Sequence, residues 1–235
     1  MDDQSNAGRL AARPRPFAPM AWPLPPGLHP LGLHPLGLHP LGMGGARDGL
    51  LRVPAAPLDG PLPLIVMLHG AGGDAERMLR RILPIADAAL LLLPESLGAT
   101  WDVLEGGYGP DVARIDAALA RILAAWPVDP ARLAIAGFSD GASYALSLAM
   151  MNGGLFSHAL AFSPGFAVPV SIEGQPRLFL SHGTEDAILP IARCSRRLVP
   201  KLRQAGYAVE YLEFPGQHEL PEAVARAGLA WLNGP

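Results

Sequence analysis

The chain has 235 residues, 50% of them hydrophobic and 17% charged, with a formal net charge of −3. That length suits one sizeable core, and a charge balance without a basic block argues against nucleic acid or an anionic membrane surface as partner. Its single cysteine, Cys194, cannot close an internal disulfide, so the fold does not depend on an oxidising compartment.

In chain order, residues 1–47 read as a flexible leader. "RPRPFAPMAWPLPPG" is too rich in proline for a regular helix or a central strand. It runs into three copies of GLHPL over 27–41, which place His29, His34 and His39 five residues apart. Such spacing can suggest a metal tract, but an expanded repeat in an extended segment explains it more simply, and no metal is expected. Met43 is a second candidate start for the folded protein. No apolar stretch followed by a small-residue cleavage site opens the chain, and no apolar run approaches the roughly 18 residues of a membrane span. A cytoplasmic protein with no membrane partner is the expectation.

From residue 48 to 235 the pattern is that of one domain of alternating strands and helices. "PLIVML" (63–68), "AALLLL" (88–93), "LAIAGF" (133–138), "HALAF" (158–162) and "RLFLS" (177–181) are short apolar runs suited to parallel strands buried on both faces. "DVARIDAALARILAAW" gathers Val112, Ile115, Leu119, Ile122, Leu123 and Trp126 on one helical face. "PIARCSRRLVPKLRQAG" predicts a helix from Pro190 to Gly206, kinked at Pro200, with Cys194 an ordinary member of it. "VEYLEF" (209–214) reads as a strand and "LPEAVARAGLAWL" as a closing helix. The alternation predicts an α/β fold with a mostly parallel sheet, whose ligands meet the carboxyl ends of the strands.

The chemically informative residues fall at those ends. Ser139 follows "LAIAGF" between Gly137 and Gly141, a strand-to-helix elbow whose crowding favours residues without a Cβ. A serine hydroxyl needs a base within reach. His218, in "FPGQHELP" after the last strand, is the expected base; His182, ending "RLFLSHG", can brace the acid loop or take that role instead. His158 opens a strand and reads as a packed side chain. For the partner that orients the base, "SHGTEDAILP" offers Glu185 and Asp186, and spacing alone leaves both open. Asp140 has a side chain that should line the pocket. "LHGAGGD" (68–74) supplies mobile backbone beyond a strand, so the amides of Ala71 and Asp140 are the expected oxyanion donors. It lacks the lysine of a phosphate loop.

Taken in order, "LHGAGGD", "GFSDGAS", "HGTED" and "GQHE" resemble the α/β-hydrolase superfamily. The match is to the small serine esterases of the phospholipase/carboxylesterase type, with polyhydroxyalkanoate-depolymerase-like relatives nearby. The resemblance spans about residues 48–233 and implies an α/β-hydrolase fold with Ser139, Asp186 and His218 as catalytic residues. It also nominates Trp101, in "PESLGATWDV", for the substrate pocket. Only about a dozen residues separate the strands ending near Ser163 and starting near Arg177, too few for a large lid. An open cleft for short acyl esters or exposed ester ends is expected, with no cofactor. Thioesters, lysophospholipids and polyester oligomers are alternative substrates, and a catalytically silent binding protein is the alternative of a different class.

Overall fold

The computed structural model describes residues 6–15, 27–30, 47–54, 60–82, 84, 86 and 88–234. Eight strands form one sheet: β1 (Gly27–Pro30), β2 (Leu50–Val53), β3 (Leu62–Leu68), β4 (Leu90–Leu93), β5 (Val128–Phe138), β6 (His158–Phe162), β7 (Arg177–Gly183) and β8 (Val209–Phe214). Their spatial order is β1-β2-β4-β3-β5-β6-β7-β8. The pairings of β1 with β2 and of β2 with β4 are antiparallel, and all the others are parallel. Among the described residues the α-helices are α1 (Ala75–Ile82), α2 (Pro110–Ala125), α3 (Asp140–Met151), α4 (Ser195–Gln204) and α5 (Glu222–Leu232).

The unbroken apolar runs are explained by burial on both faces. Every residue of β3 and β4 is buried. Alternate residues feed two cores: Leu64, Val66, Leu90, Leu92, Ile135 and Leu180 pack with α2, α3 and α4. On the other face Ile65, Met67, Leu91, Ala136 and Phe179 pack with α1 and α5. Each fully buried leucine or isoleucine stabilises the fold by roughly 1.5–3 kcal/mol, so a charge at Leu64 or Ile65 would disable one layer.

Two local features differ from the expectations. The helix predicted from Pro190 starts at Ser195, because Arg193 and Cys194 donate back to the Pro190 carbonyl at 2.8 and 3.2 Å and form a turn first. Pro200 lies inside α4. Short β2, with no long apolar run to mark it, extends the sheet beyond β4.

Parts of the leader have a place on the body. Leu10 and Ala12 are buried in the α2–α3 core, and Asn152 brackets the segment by accepting from the Leu10 amide at 2.7 Å and donating to the Gly8 carbonyl at 2.8 Å. Gly27–Pro30, from the first GLHPL copy, forms β1. The other copies, with His34 and His39, and Met43 lie outside the described residues. Residues 163–176 join β6 to β7 without a helix, so no large lid is inserted at that connection.

Candidate active site

Ser139 sits where β5 turns into α3, with φ 58° and ψ −123°. This left-handed backbone costs a non-glycine residue of order 1–3 kcal/mol and needs support. Support comes from its amide, which donates to the Phe162 carbonyl of β6 at 2.9 Å, and from its carbonyl, which accepts from Ala142 and Ser143. Crowding explains the flanking glycines: a Cβ on Gly137 would fall on the Gly141 carbonyl, and one on Gly141 would fall on that of His69.

His218 follows β8 and reaches Ser139, with Nε2 2.8 Å from Oγ. In the neutral ring that suits this contact, Oγ–H donates to Nε2 and Nδ1–H donates to Asp186 Oδ2 at 2.6 Å. The ring is packed on Phe138, with centroids 4.9 Å apart. Asp186 follows β7 and is only 5% exposed. Its Oδ1 accepts from the amides of Ile188 (2.9 Å) and Leu189 (2.7 Å). Burial alone would raise its pKa, but the hydrogen bonds from His218 and the Leu189 amide prevail and hold the carboxyl below its ordinary range. Glu185, the alternative that spacing left open, is exposed.

Asp186 has a second histidine. His182, fully buried, places Nε2 3.2 Å from Asp186 Oδ2 and 2.7 Å from the Leu189 carbonyl. Its Nδ1 lies 2.7 Å from Ser195 Oγ at the start of α4. Burial pushes the His182 pKa down, against the opposing pull of the Leu189 carbonyl and Asp186. It braces the acid loop and does not touch Ser139 in any hydrogen bond. His158 bonds Ser157 Oγ and packs edge-on against Trp231, away from these groups.

The loop after β3 faces Ser139 from the other side: a Cβ on Gly70 would come within 3.1 Å of Ser139 Cβ. Gly72 and Gly73 donate to the Ala99 and Gly70 carbonyls, whereas neither the Ala71 nor the Asp140 amide has a hydrogen-bond acceptor among the described residues. The Asp140 carboxylate accepts from Thr100 Oγ1 at 2.9 Å. Beneath the loop, buried His69 accepts at Nε2 from the Ser96 amide (3.1 Å) and donates from Nδ1 to the Gly70 carbonyl (2.8 Å).

Trp101 does not line the cleft. It is 0% exposed, donates from Nε1 to the His69 carbonyl at 2.8 Å, and stacks between His69 and Tyr144. Its indole needed a buried acceptor, and the backbone beneath the loop supplies one. Sequence reasoning missed the support roles of His69 and Ser195; a His-Gly pair ending a strand is the signal that marks His69. Among the described residues, no three His, Cys, Asp or Glu side chains gather as a metal site needs. Burial raises the pKa of Cys194, so its basic neighbours do not make it a reactive thiolate.

The family model of the phospholipase/carboxylesterase family matches residues 113–227, a span that includes Ser139, Asp186 and His218. Over that span the chain is similar to that family. Solved structures support the fold. The carboxylesterase of Bacillus cereus is 17% identical, with 81% of this chain and 95% of that one covered and a TM-score of 0.64. A fluorophosphonate-binding serine hydrolase of Staphylococcus aureus, FphF, is 16% identical over 80% and 93%, at 0.63. A phospholipase/carboxylesterase of Dyadobacter fermentans is 23% identical over 76% and 93%, at 0.55. No curated protein matches in sequence. No helix among the described residues is long and apolar enough to cross a membrane.

Proposed function

We propose that Ser139 is the nucleophile, His218 the general base and acid, and Asp186 the anion that orients His218. The position of His218 carries this reading: its ring bridges Ser139 Oγ and the buried carboxylate at 2.8 and 2.6 Å. His218 takes the hydroxyl proton as Oγ bonds to the ester carbonyl carbon, and the carbonyl oxygen takes the negative charge. The amides of Ala71 and Asp140 receive that oxyanion. Collapse expels the alcohol, which takes the proton from His218, and leaves an acyl-serine. Water, deprotonated by His218, then attacks the acyl carbon, releases the acid and returns the proton to Ser139. No metal or organic cofactor enters any step.

An open cleft favours short acyl esters or exposed ester ends of larger substrates. Thioesters, lysophospholipids and polyester oligomers are open to the same chemistry, and a panel of nitrophenyl esters, acyl-thioesters and hydroxybutyrate oligomers ranks them. A cytoplasmic location fits the lone buried Cys194. The decisive test is a fluorophosphonate probe: it should label the wild type and leave Ser139→Ala unlabelled, with ester hydrolysis falling by about 10⁴-fold or more. A folded wild type that takes no label would instead be a silent binding protein.

A further inference from the structure

One cavity at the cleft has no part in that mechanism. Between the Gly70–Gly73 loop and α1 lies a space of about 180 Å³, walled in part by Gly70, Ala71, Phe138, Arg77 and Arg81. It adjoins the reacting groups: Phe138 precedes Ser139 and packs against the His218 ring, and Gly70 abuts the Ser139 side chain. Arg77 and Arg81 are four residues apart on α1 and therefore share a face of that helix.

The two guanidinium groups differ in what balances them. Arg77 is paired with Asp74 at 3.1 Å, the one carboxylate in the cavity wall. Arg80, between them in sequence, pairs instead with Glu76 at 3.4 Å. Arg81 has no carboxylate partner among the described residues; its guanidinium lies over the Phe138 ring, 5.3 Å from the centroid. An aromatic face holds a cation in place but leaves the in-plane N–H donors free for a bidentate acceptor. Asp140, the nearest acid in sequence to the nucleophile, does not line this space.

We propose that this cavity is a subsite for an anionic group of the substrate, a carboxylate or phosphate held by Arg81, so that esters bearing a negative charge a short spacer from the scissile carbonyl are preferred. The inference rests on ester hydrolysis at Ser139 and names the substrate class for that chemistry.

The test compares kcat/KM for 4-nitrophenyl hydrogen glutarate, charged on its acyl half, and 4-acetoxybenzoate, charged on its alcohol half, with neutral esters of matched length. At least one charged ester should exceed its neutral counterpart by about tenfold at low salt, the scale of one charge-assisted contact, and the advantage should shrink as ionic strength rises. Arg81→Gln should cut that ratio about tenfold, chiefly through KM, and Arg81→Lys should restore part of it. Arg80→Gln should leave the ratio at the wild-type value. Glutarate itself should compete with a neutral ester in the wild type and lose that effect in Arg81→Gln. Equal rates on charged and neutral esters, or a ratio indifferent to Arg81→Gln, overturns the subsite while ester hydrolysis stands. Failure of every ester, together with no fluorophosphonate labelling, overturns the reading beneath it.

Discussion

A His-Gly pair stands at the carboxyl end of two strands, His69-Gly70 directly after β3 and His182-Gly183 as the last residues of β7, and the two corners flank the cleft from opposite sides. In each, the histidine is buried and grips the loop that follows, while the glycine lets another segment come close. His69 holds the Ser96 amide and the Gly70 carbonyl; His182 holds Ser195 and the Leu189 carbonyl. Gly70 admits Ser139, and Gly183 admits the Gly216–Gln217 backbone that carries His218. They differ in charge. His182 lies 3.2 Å from the carboxylate that His218 uses, whereas the cation Arg47 lies 3.4 Å from His69. The same dipeptide thus supports the loop that carries the Asp186 carboxylate in one case and the glycine loop beside Ser139 in the other. What differs is the partner each neighbouring loop brings.

The largest expected effect tests the charge difference. Asp186→Asn keeps an acceptor for the Ile188 and Leu189 amides, so the fold should survive with an unchanged circular dichroism spectrum. Lacking the anion that orients His218, the variant should lose about 10⁴-fold in kcat on a nitrophenyl ester. A loss below about tenfold would show that the acid corner, like the oxyanion corner, works by shape alone.

Next in size is a paired test of the glycines. A Cβ on Gly183 would overlap the backbone carbonyl oxygens of Gly216 and Gln217, which cannot yield without moving the His218 loop. A Cβ on Gly70 meets Ser139 Cβ at 3.1 Å and needs only a small adjustment. Gly183→Ala should therefore cost about 10²-fold in kcat/KM and Gly70→Ala about tenfold or less, since catalysis is steep in the placement of reacting groups. The reverse order, measured on one ester, would mean that the nucleophile side tolerates less movement than the base side.

Much of this arrangement is legible in the residues because the fold writes it locally. Parallel strands buried on both faces leave apolar runs, and sites at their carboxyl ends put Ser139, Asp186 and His218 directly after such runs. Features set by distant partners are not legible in this way. Trp101 is a pocket candidate by resemblance of its loop to those of esterases, and only its tertiary acceptor, the His69 carbonyl, places it in the core. Pro190 looks like a helix start because it suits a first turn; the turn that forms there ends before Ser195, whose hydroxyl then meets His182. Leu10 and Ala12 sit just before the proline-rich stretch, without periodicity, and their burial depends on Asp116 and Asn152, more than a hundred residues away. No local pattern carries that information.

The smallest expected effect is on stability, and it tests the burial that the two corners share. Burial lowers the pKa of both His69 and His182 from the ordinary 6.5. Between its lowered folded value and about 6.5, each histidine is protonated in the unfolded chain but not in the native one, so the unfolded state binds more protons and stability rises with pH. As the pH falls below about 6.5 that contribution is lost, at no more than about 1.4 kcal/mol per pH unit for each group. Asp186, held below its ordinary range, loses its own contribution only at lower pH, as its folded pKa is crossed. Burial is the first cause for both, and charges act on each in both directions: Arg47 opposes a proton on His69 while Glu95 and Asp74 favour one, and His218 opposes a proton on His182 while Asp186 favours one. Urea midpoints of the wild type should fall from pH 7 to pH 5, and His69→Gln and His182→Gln should each flatten that fall, whatever each costs at neutral pH. A wild-type midpoint that holds level or climbs as acid is added would mean that these two buried rings take up protons in the native state as readily as in the unfolded chain.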